Sequence, residues 1–208
     1  MPNFDIENSY ENEIIYGVDE AGLGPLAGPI TVASCFIEKR DLPIELLEGI
    51  DDSKKLSKKK REYLFEMITN SPNIKYEVAV ISNDAINEAG LSRAWRDGIR
   101  KSVEGQKVSL CLIDGIKKVA IPGCKTISIV KGDQKSYSIA AASIIAKTTR
   151  DAIMQKIHEE FPYYGFDKHV GYGTKAHLEA LRKFGPCKYH RINYSPVRAV
   201  LENSKIRT

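Results

Sequence analysis

Four acidic residues of the 208-residue chain lie where apolar segments end. Asp19 and Glu20 come directly after the apolar residues 14–18, Asp114 ends the run LCLID, and Asp133 follows TISIVKG. In open α/β sheets, sites form outside the strand ends, where the connecting loops diverge. Four carboxylates gathered there repel one another unless cations neutralise them, and two hard divalent ions with oxygen ligands are the usual solution. The acids therefore favour Mg²⁺ or Mn²⁺ over Zn²⁺, which usually takes Cys and His ligands.

Asp19 and Glu20 are neighbours in the sequence, and neighbouring side chains of a strand face opposite sides of the sheet. Both can serve one site only if the strand breaks there, and Gly22, Gly24 and Pro25 are expected to supply that break. The glycines also let the main chain approach a ligand closely. The loop lacks the G-x-x-x-x-G-K-[ST] pattern, which argues against a nucleoside triphosphatase.

The elements that must position these acids follow from apolar runs and turn residues. Strands are predicted at 14–18, 30–37, 74–81, 108–113 and 126–130. Helices are predicted from an N-cap at Ser57 to about Thr69, and over 83–103, 136–160, 174–184 and 196–201. Strands and helices followed by a helical tail indicate an α/β core with a C-terminal helical appendage.

Composition excludes some classes of protein and leaves others open. No stretch approaches the roughly 18 apolar residues that cross a bilayer, and the polar, acidic start MPNFDIENSYENE is not typical of a secretory signal. The four cysteines are interpreted as thiols in a reducing cytoplasm, where we expect the protein. The net charge of +4 is too small to indicate a nucleic-acid partner by itself, and the basic run KKLSKKKR fits a solvated loop before a helix.

Six segments resemble the ordered blocks of the ribonuclease HII family. They span nearly the whole chain, from Gly17 to Val197, and read VDEAGLGPLAGPI, DDSKKLS, LIDG, KGDQKSYSIAAASIIAKTTRD, YGFDKHVGYGT and HRINYSPV. The resemblance implies an RNase H-like α/β fold, with a mixed five-stranded sheet flanked by helices. It implies a catalytic core over 1–160 and a C-terminal helical segment over 161–208. The expected enzyme acts as a monomer.

The resemblance also implies an activity. The enzyme is expected to hydrolyse the RNA strand of RNA–DNA hybrids and to cut 5′ of single ribonucleotides embedded in duplex DNA. Two metal ions would act in the cleavage, which leaves 3′-hydroxyl and 5′-phosphate ends. Such an enzyme removes ribonucleotides misincorporated into DNA.

Roles carry over from the family residue by residue. The resemblance implies that Asp19, Glu20, Asp114 and Asp133 are the metal ligands. The main chain of Gly22 and Gly24 matches the loop that senses the ribose 2′-hydroxyl, and Leu23 between them replaces the usual Arg or Lys. Tyr172 matches the tyrosine that packs on the nucleotide after the ribonucleotide and detects the RNA-to-DNA junction. Phosphate contacts or site support are expected from Lys54, Lys55, Ser143, Lys147, Arg150 and His169.

Three alternatives remain open at this stage. A junction resolvase would share the strand-end acids but has no use for a loop that reads the 2′-hydroxyl. A binding protein without catalysis would gain nothing from four acids, because they repel phosphate. Cys187 and His190 have the spacing of a zinc half-site, but no second pair has suitable spacing.

Overall fold

The computed structural model describes residues 1–10, 13–38 and 42–205, with the side chains of 204 and 205 left out. It contains a five-stranded sheet in the order β3-β2-β1-β4-β5. The hairpin of β1 and β2 is antiparallel, whereas β4 is parallel to β1 and β5 is parallel to β4. The strands are β1 (Ile15–Ala21), β2 (Ile30–Ile37), β3 (Ile74–Ile81), β4 (Leu110–Asp114) and β5 (Lys125–Ile129). The predicted mixed five-stranded sheet is confirmed, and β2 and β3 have the predicted bounds.

The sheet is accompanied by helices along the chain. They are α1 (Asp5–Asn8), α2 (Ile44–Gly49), α3 (Lys58–Asn70), α4 (Asn83–Ala89), α5 (Leu91–Val103), α6 (Tyr137–Glu160), α7 (Phe166–His169), α8 (Lys175–Phe184) and α9 (Ser195–Lys205). Two 3₁₀ turns lie at Gly132–Gln134 and Pro162–Tyr164. The helical C-terminal part is confirmed, whereas the short α1, α2 and α7 were not predicted because they carry too few turns for a periodic pattern.

Local side-chain chemistry explains where several helices begin and end. Ser57 caps α3 by accepting a hydrogen bond from the main-chain N–H of Lys60, as predicted. Thr174 caps α8 in the same way. The single helix predicted over 83–103 is two helices, because Gly90 adopts a positive φ of 80° between α4 and α5. A residue with that φ cannot continue a right-handed helix.

The Ala-rich start of α6 packs directly on β1. A Cβ at Gly17 would overlap the main chain of Ser138 and Ile139, so only glycine allows this approach. Ala140, Ala141 and Ala142 are fully buried in the cluster that also contains Leu64. The close packing holds the first turns of α6 at a fixed height against the strand that ends in the predicted metal ligands.

The chain divides into two compact units. The first consists of Met1–Ala21, Thr31–Ala79 and Arg96–Thr148, and the second of Gly22–Ile30, Val80–Trp95 and Thr149–Thr208. The division into 1–160 and 161–208 made from the sequence stays a prediction about domains. Across the described ranges, no helix is both long enough and apolar enough to span a membrane.

Candidate active site

The sheet register brings strand-end acids of the first unit to one level. Because β1 and β4 are parallel with Val18 beside Ile113, the residues that follow them, Asp19 and Asp114, occupy equivalent positions. Asp133 lies in the 3₁₀ turn four residues after β5, and the Gly132 N–H donates to Asp114 Oδ1 at 2.7 Å. That hydrogen bond ties the Asp133 turn to the end of β4.

The electrostatics show that these carboxylates lie close to one another. Asp19 is 5% exposed. Burial first, and then Glu20 and Asp114, raises the pKa of Asp19 well above its usual value. Burial, Asp52 and Asp114 raise the pKa of Asp133 to about 6. Each raised pKa reflects the free-energy cost of holding buried negative charges close together without a cation.

The main chain breaks directly after β1, at Gly22, which is one of the residues predicted to supply the break. Pairing between β1 and β2 continues to Ala21 opposite Thr31, so the break follows the two acids and does not fall between them. It occurs at Gly22, which has a φ of 99°. Hydrogen bonding to β2 keeps the strand regular through both acids, and the Glu20 N–H still donates to Asp19 Oδ1 at 2.7 Å. Glu20 nevertheless contributes to the raised pKa of its neighbour Asp19.

Lys54 contributes positive charge to the cluster. Burial alone would lower its pKa, but Asp19, Asp52 and Asp133, together with Asp114, raise it on balance. The loop that carries Lys54 is held in place by Arg61, a largely buried side chain that donates to the Ser53 carbonyl at 2.8 Å. Lys54 is therefore placed to face either the acids or an incoming phosphate.

Asp52 was missed by the sequence analysis. It is buried, its Oδ1 accepts from the Lys54 N–H at 2.9 Å, and its charge raises the pKa of Asp133. The signal that could have found it is the pair of acids at the start of DDSKKLS, a segment in which only the lysines were assigned a role. Asp52 orders the loop and adds a fifth carboxylate beside Asp133.

Ser143 supports Asp19 from α6. Its hydroxyl donates to the Asp19 carboxylate and lies 2.8 Å from Ser53 Oγ. Because Ser143 is buried, the geometry favours site support over a phosphate contact. Lys55 is exposed and pairs with Asp51 at 3.2 Å, and Lys147 is half-buried on the same helix as Ser143, so both stay predicted phosphate contacts.

The donor set suits a hard cation. All of the acids supply carboxylate oxygen, which Mg²⁺ and Mn²⁺ prefer, and no imidazole or thiolate takes part. Within residues 1–10, 13–38 and 42–205, no three His, Cys, Asp or Glu side chains form a finished ligand cage. The raised pKa values of Asp19 and Asp133 show what a divalent ion would relieve, so these residues fit one.

The glycine loop belongs to the second unit and is anchored there by Arg191. This side chain is fully buried, at 0% exposure. Its guanidinium donates to the carbonyls of Gly22 at 2.6 Å, Leu23 at 3.0 Å, Gly28 at 2.9 Å and Pro29 at 3.2 Å. The loop carbonyls therefore point inward. Sequence reasoning missed Arg191 because more than 160 residues separate it from the loop.

Arg150 is the second anchor of the same loop. It is 1% exposed and donates to the carbonyls of Ala27 at 3.2 Å, Pro29 at 3.0 Å and Val170 at 3.0 Å. Burial and then Arg191 lower its pKa to about 10, so it stays cationic at neutral pH. A guanidinium buried in this way supports the loop and is not free to contact phosphate, so of the two roles predicted for Arg150 we retain support.

Tyr172 packs beside Gly24. A Cβ at Gly24 would lie 3.5 Å from Tyr172 Cε1, and the tyrosine is 46% exposed. Val170, two residues before Tyr172, has a φ of 42°, which is rare and strained for a β-branched residue. Such strain often marks functional segments. His169 accepts from the Gly171 N–H and its other ring nitrogen lies 2.7 Å from the Tyr164 carbonyl, so it orients this turn.

Acid is expected to destabilise the protein through His190. Burial and then His177 lower the pKa of His190 to about 4, against an ordinary 6.5. The unfolded chain therefore binds more protons than the folded one as the pH falls from 6.5 to 4, and stability is lost across that window. The difference corresponds to roughly 3 kcal/mol. Urea titrations of the wild type and His190→Gln between pH 7 and 4 measure it. A wild type that loses no more stability than the variant would contradict the assignment.

The architecture and the acids together define a class of protein. A mixed five-stranded sheet with helices, carrying acids at the ends of β1 and β4, is an RNase H-like fold. The ribonuclease HII family profile matches residues 16–197, and the chain belongs to that family. It is accordingly a ribonuclease H, an endonuclease that hydrolyses the RNA strand of RNA–DNA hybrids, and enzymes of this family use divalent metal ions.

Individual relatives agree with this assignment. A ribonuclease HII of Chlamydia muridarum is 47% identical over 186 residues, which cover 88% of this chain and 83% of that protein. The crystal structure of ribonuclease H2 from Pyrococcus horikoshii is similar in fold, with a TM-score of 0.75 at 23% identity over 92% of this chain and 98% of that one. The Bst-RNase HIII structure in complex with Mn²⁺ has a TM-score of 0.67 at 17% identity, covering 93% of this chain and 70% of that one.

Proposed function

We propose that the enzyme cuts duplex DNA on the 5′ side of an embedded ribonucleotide and thereby removes misincorporated ribonucleotides. Asp19, Glu20, Asp114 and Asp133 would hold two ions of Mg²⁺ or Mn²⁺, whose chemistry is to lower the pKa of the attacking water and to stabilise charge on the leaving 3′-oxygen. Ser143 holds Asp19 in place through a hydrogen bond to its carboxylate. The products carry 3′-hydroxyl and 5′-phosphate ends. The enzyme would act in the cytoplasm, as a monomer.

The observation that carries the nuclease proposal is the mutual charge repulsion of the buried acids. Asp19 and Asp133 both have raised pKa values, and Asp114 contributes to each shift. A protein without a use for cations gains nothing from such an arrangement. The Mn²⁺ bound to the similarly folded Bst-RNase HIII supports the choice of ion.

The glycine loop supplies the selectivity in this proposal. Its carbonyls are taken by Arg191 and Arg150, whereas the main-chain N–H groups of Leu23 and Gly24 donate to no acceptor among the described residues. Free donors on a fixed main chain can bind the ribose 2′-hydroxyl, the group that distinguishes RNA from DNA. Tyr172 would stack on the following nucleotide, worth on the order of 1–3 kcal/mol.

The test is a cleavage map of a DNA duplex that carries one ribonucleotide, with an all-DNA duplex as the control. We expect a single cut 5′ of the ribonucleotide, only with added Mg²⁺ or Mn²⁺. Cleavage of the all-DNA duplex would indicate a resolvase-like nuclease. Binding without metal-dependent turnover would indicate a binding protein, and either result would overturn the proposal.

Leu23→Arg is expected to tighten binding to the substrate. The Leu23 side chain is half-buried, while its carbonyl is held by Arg191 at 3.0 Å and by the Tyr194 hydroxyl at 2.9 Å, so the main chain should keep its course. A new cation beside the nucleic-acid backbone adds about one phosphate contact, which steepens the slope of log K against log[salt] by about 0.7–0.9. Fluorescence anisotropy in Ca²⁺ at several salt concentrations measures that slope.

Leu23→Gln is the matched control, because it adds length and polarity without charge. Its slope should equal that of the wild type. An unchanged slope for Leu23→Arg would show that this side chain does not lie near phosphate.

A further inference from the structure

Two buried histidines of the second unit form a hydrogen-bonded chain that ends on Tyr172. The Cys187 N–H donates to His190 Nδ1 at 2.9 Å, and His190 Nε2 lies 3.1 Å from His177 Nε2. His177 Nδ1 lies 2.9 Å from the carbonyl oxygen of Tyr172. The chain thus connects the loop of HRINYSPV with the turn of GYGT.

The partners at the two ends fix the proton positions. A carbonyl oxygen only accepts, so His177 Nδ1 carries hydrogen and its Nε2 is bare. An amide N–H only donates, so His190 Nδ1 is bare and its Nε2 carries hydrogen. His190 therefore donates to His177, and the two assignments, reached from opposite ends, agree.

The surroundings keep both rings neutral. His177 and His190 are buried, and burial lowers the pKa of each. The titratable groups that face them are His169, stacked on His177 at 4.6 Å, the Cys187 thiol, 3.2 Å from His190 Nδ1, and the ring of Tyr164, 5.0 Å from that of His190. A second proton on either ring would remove the one acceptor that the chain requires.

The hydrogen-bonded histidines contact a main-chain segment in a strained conformation. Val170 and Gly171 have positive φ values of 42° and 86°, so the turn does not rest in an ordinary conformation. The Tyr172 carbonyl accepts both from His177 and from the Thr174 N–H at 2.8 Å, and the Tyr172 N–H donates to the His169 carbonyl at 2.8 Å. The main chain that carries the half-exposed Tyr172 ring is therefore held at both its N–H and its carbonyl.

We propose that His177 and His190 are positioning residues that set the enzyme's preference for the RNA-to-DNA junction by holding the carbonyl of Tyr172. The inference rests on the proposed function, in which the Tyr172 ring detects that junction. The preference that the exposed Tyr172 ring confers would then depend on two buried imidazoles.

Two substitutions of His177 separate the two ends of its ring. In His177→Asn, an amide nitrogen takes the place of Nδ1 and keeps the donor to Tyr172. In His177→Gln, the amide lies farther out, facing His190, and that donor is lost. Both variants remove the imidazole from the same buried position, so we expect similar losses in melting temperature.

The readout is the ratio of kcat/KM on a duplex with one ribonucleotide to kcat/KM on a uniform RNA–DNA hybrid. His177→Gln should lower that ratio about tenfold, in the range found for groups that orient a reacting residue. His177→Asn should stay within about threefold of the wild type. In the Tyr172→Ala background, His177→Gln should lower the ratio no further, because the ring that it positions is gone.

Equal ratios for the Asn and Gln variants, whether lowered or unchanged, would overturn the proposal. A wild type that does not cut at single ribonucleotides would instead overturn the proposed function, before any variant is made. Long-range ¹H–¹⁵N spectra of the wild-type histidines give a test that needs no variant. The proposal requires Nδ1–H on His177 and Nε2–H on His190, and the opposite tautomers would refute it.

Discussion

Asp19→Asn should lower kcat/KM by at least about a thousandfold and yet raise the melting temperature of the metal-free protein. Activity is lost because the substitution removes a carboxylate that would bind and orient the metal ion. Metal catalysis lowers the activation free energy by several kcal/mol. The gain in stability follows because the Asp19 carboxylate is buried beside Glu20 and Asp114. Asparagine keeps the size of the side chain and an acceptor for the Glu20 N–H while removing the charge.

The pH dependence of that gain has a defined sign. The folded-state pKa of Asp19 is raised, so its contribution to stability is fully present below the unfolded pKa and is lost as the pH rises through the folded value. The advantage of Asp19→Asn should therefore be largest above the folded-state pKa of Asp19 and shrink as the pH falls below it. In a chain of this length, about 1 kcal/mol moves the melting temperature by roughly 2–4 °C.

Melting curves in EDTA and in saturating Mg²⁺ measure both sides of this prediction. Mg²⁺ should stabilise the wild type and leave Asp19→Asn unmoved, since ions that bind only the folded state shift its stability by mass action. Asp151→Asn is the matched control, because Asp151 lies in α6 and in the second unit, whereas the strand-end acids belong to the first. A metal-free Asp19→Asn protein that melts below the wild type would refute the mutual repulsion of the acids.

Arg191→Met should cost about 3–5 kcal/mol of folding stability, which corresponds to a fall of roughly 10 °C in melting temperature. The methionine fills part of the space but leaves the buried carbonyls of Gly22, Leu23, Gly28 and Pro29 without this donor. Each unsatisfied buried group costs about 1–3 kcal/mol, reduced where the loop can move to water.

The same substitution should impair ribonucleotide selectivity at temperatures where the variant stays folded. Once released, the loop carbonyls can turn outward, and the N–H groups of Leu23 and Gly24 lose their fixed direction. Single-turnover cleavage of the single-ribonucleotide duplex should fall at least about tenfold more than cleavage of a hybrid. Arg198→Met is the control, since Arg198 is exposed and its 3.9 Å pair with Glu202 contributes little. Equal losses of stability in the two variants would contradict the anchoring role of Arg191.

The sequence predicts those parts of the fold that depend on local pattern. The bounds of β2 and β3 match the apolar runs, and the Ser57 cap lies where its side chain can reach Lys60. The placement of Asp114 at the end of β4 follows from the same reasoning. The division of one predicted helix at Gly90 was missed, because a glycine within a periodic segment reveals its φ only once the chain is folded.

The strand-end acids could be named from the sequence, and Ser143 and Arg150 through the resemblance, whereas the contacts of Arg191 and His190 could not. Carboxylates at strand ends are visible in the sequence because strand and residue are adjacent. Arg191 contacts carbonyls of residues 22–29, and His190 reaches Tyr172 through His177; neither contact has a local signature. The resemblance to ribonuclease HII marked HRINYSPV as a block without saying what it holds.

Binding of Mn²⁺ to the substrate-free enzyme, followed by electron paramagnetic resonance, tests the central claim most directly. The wild type should bind Mn²⁺ saturably, Asp114→Asn and Asp133→Asn should each weaken that binding at least about tenfold, and Asp151→Asn should leave it unchanged. Equal binding by all four proteins would show that the strand-end carboxylates are not where the metal is held.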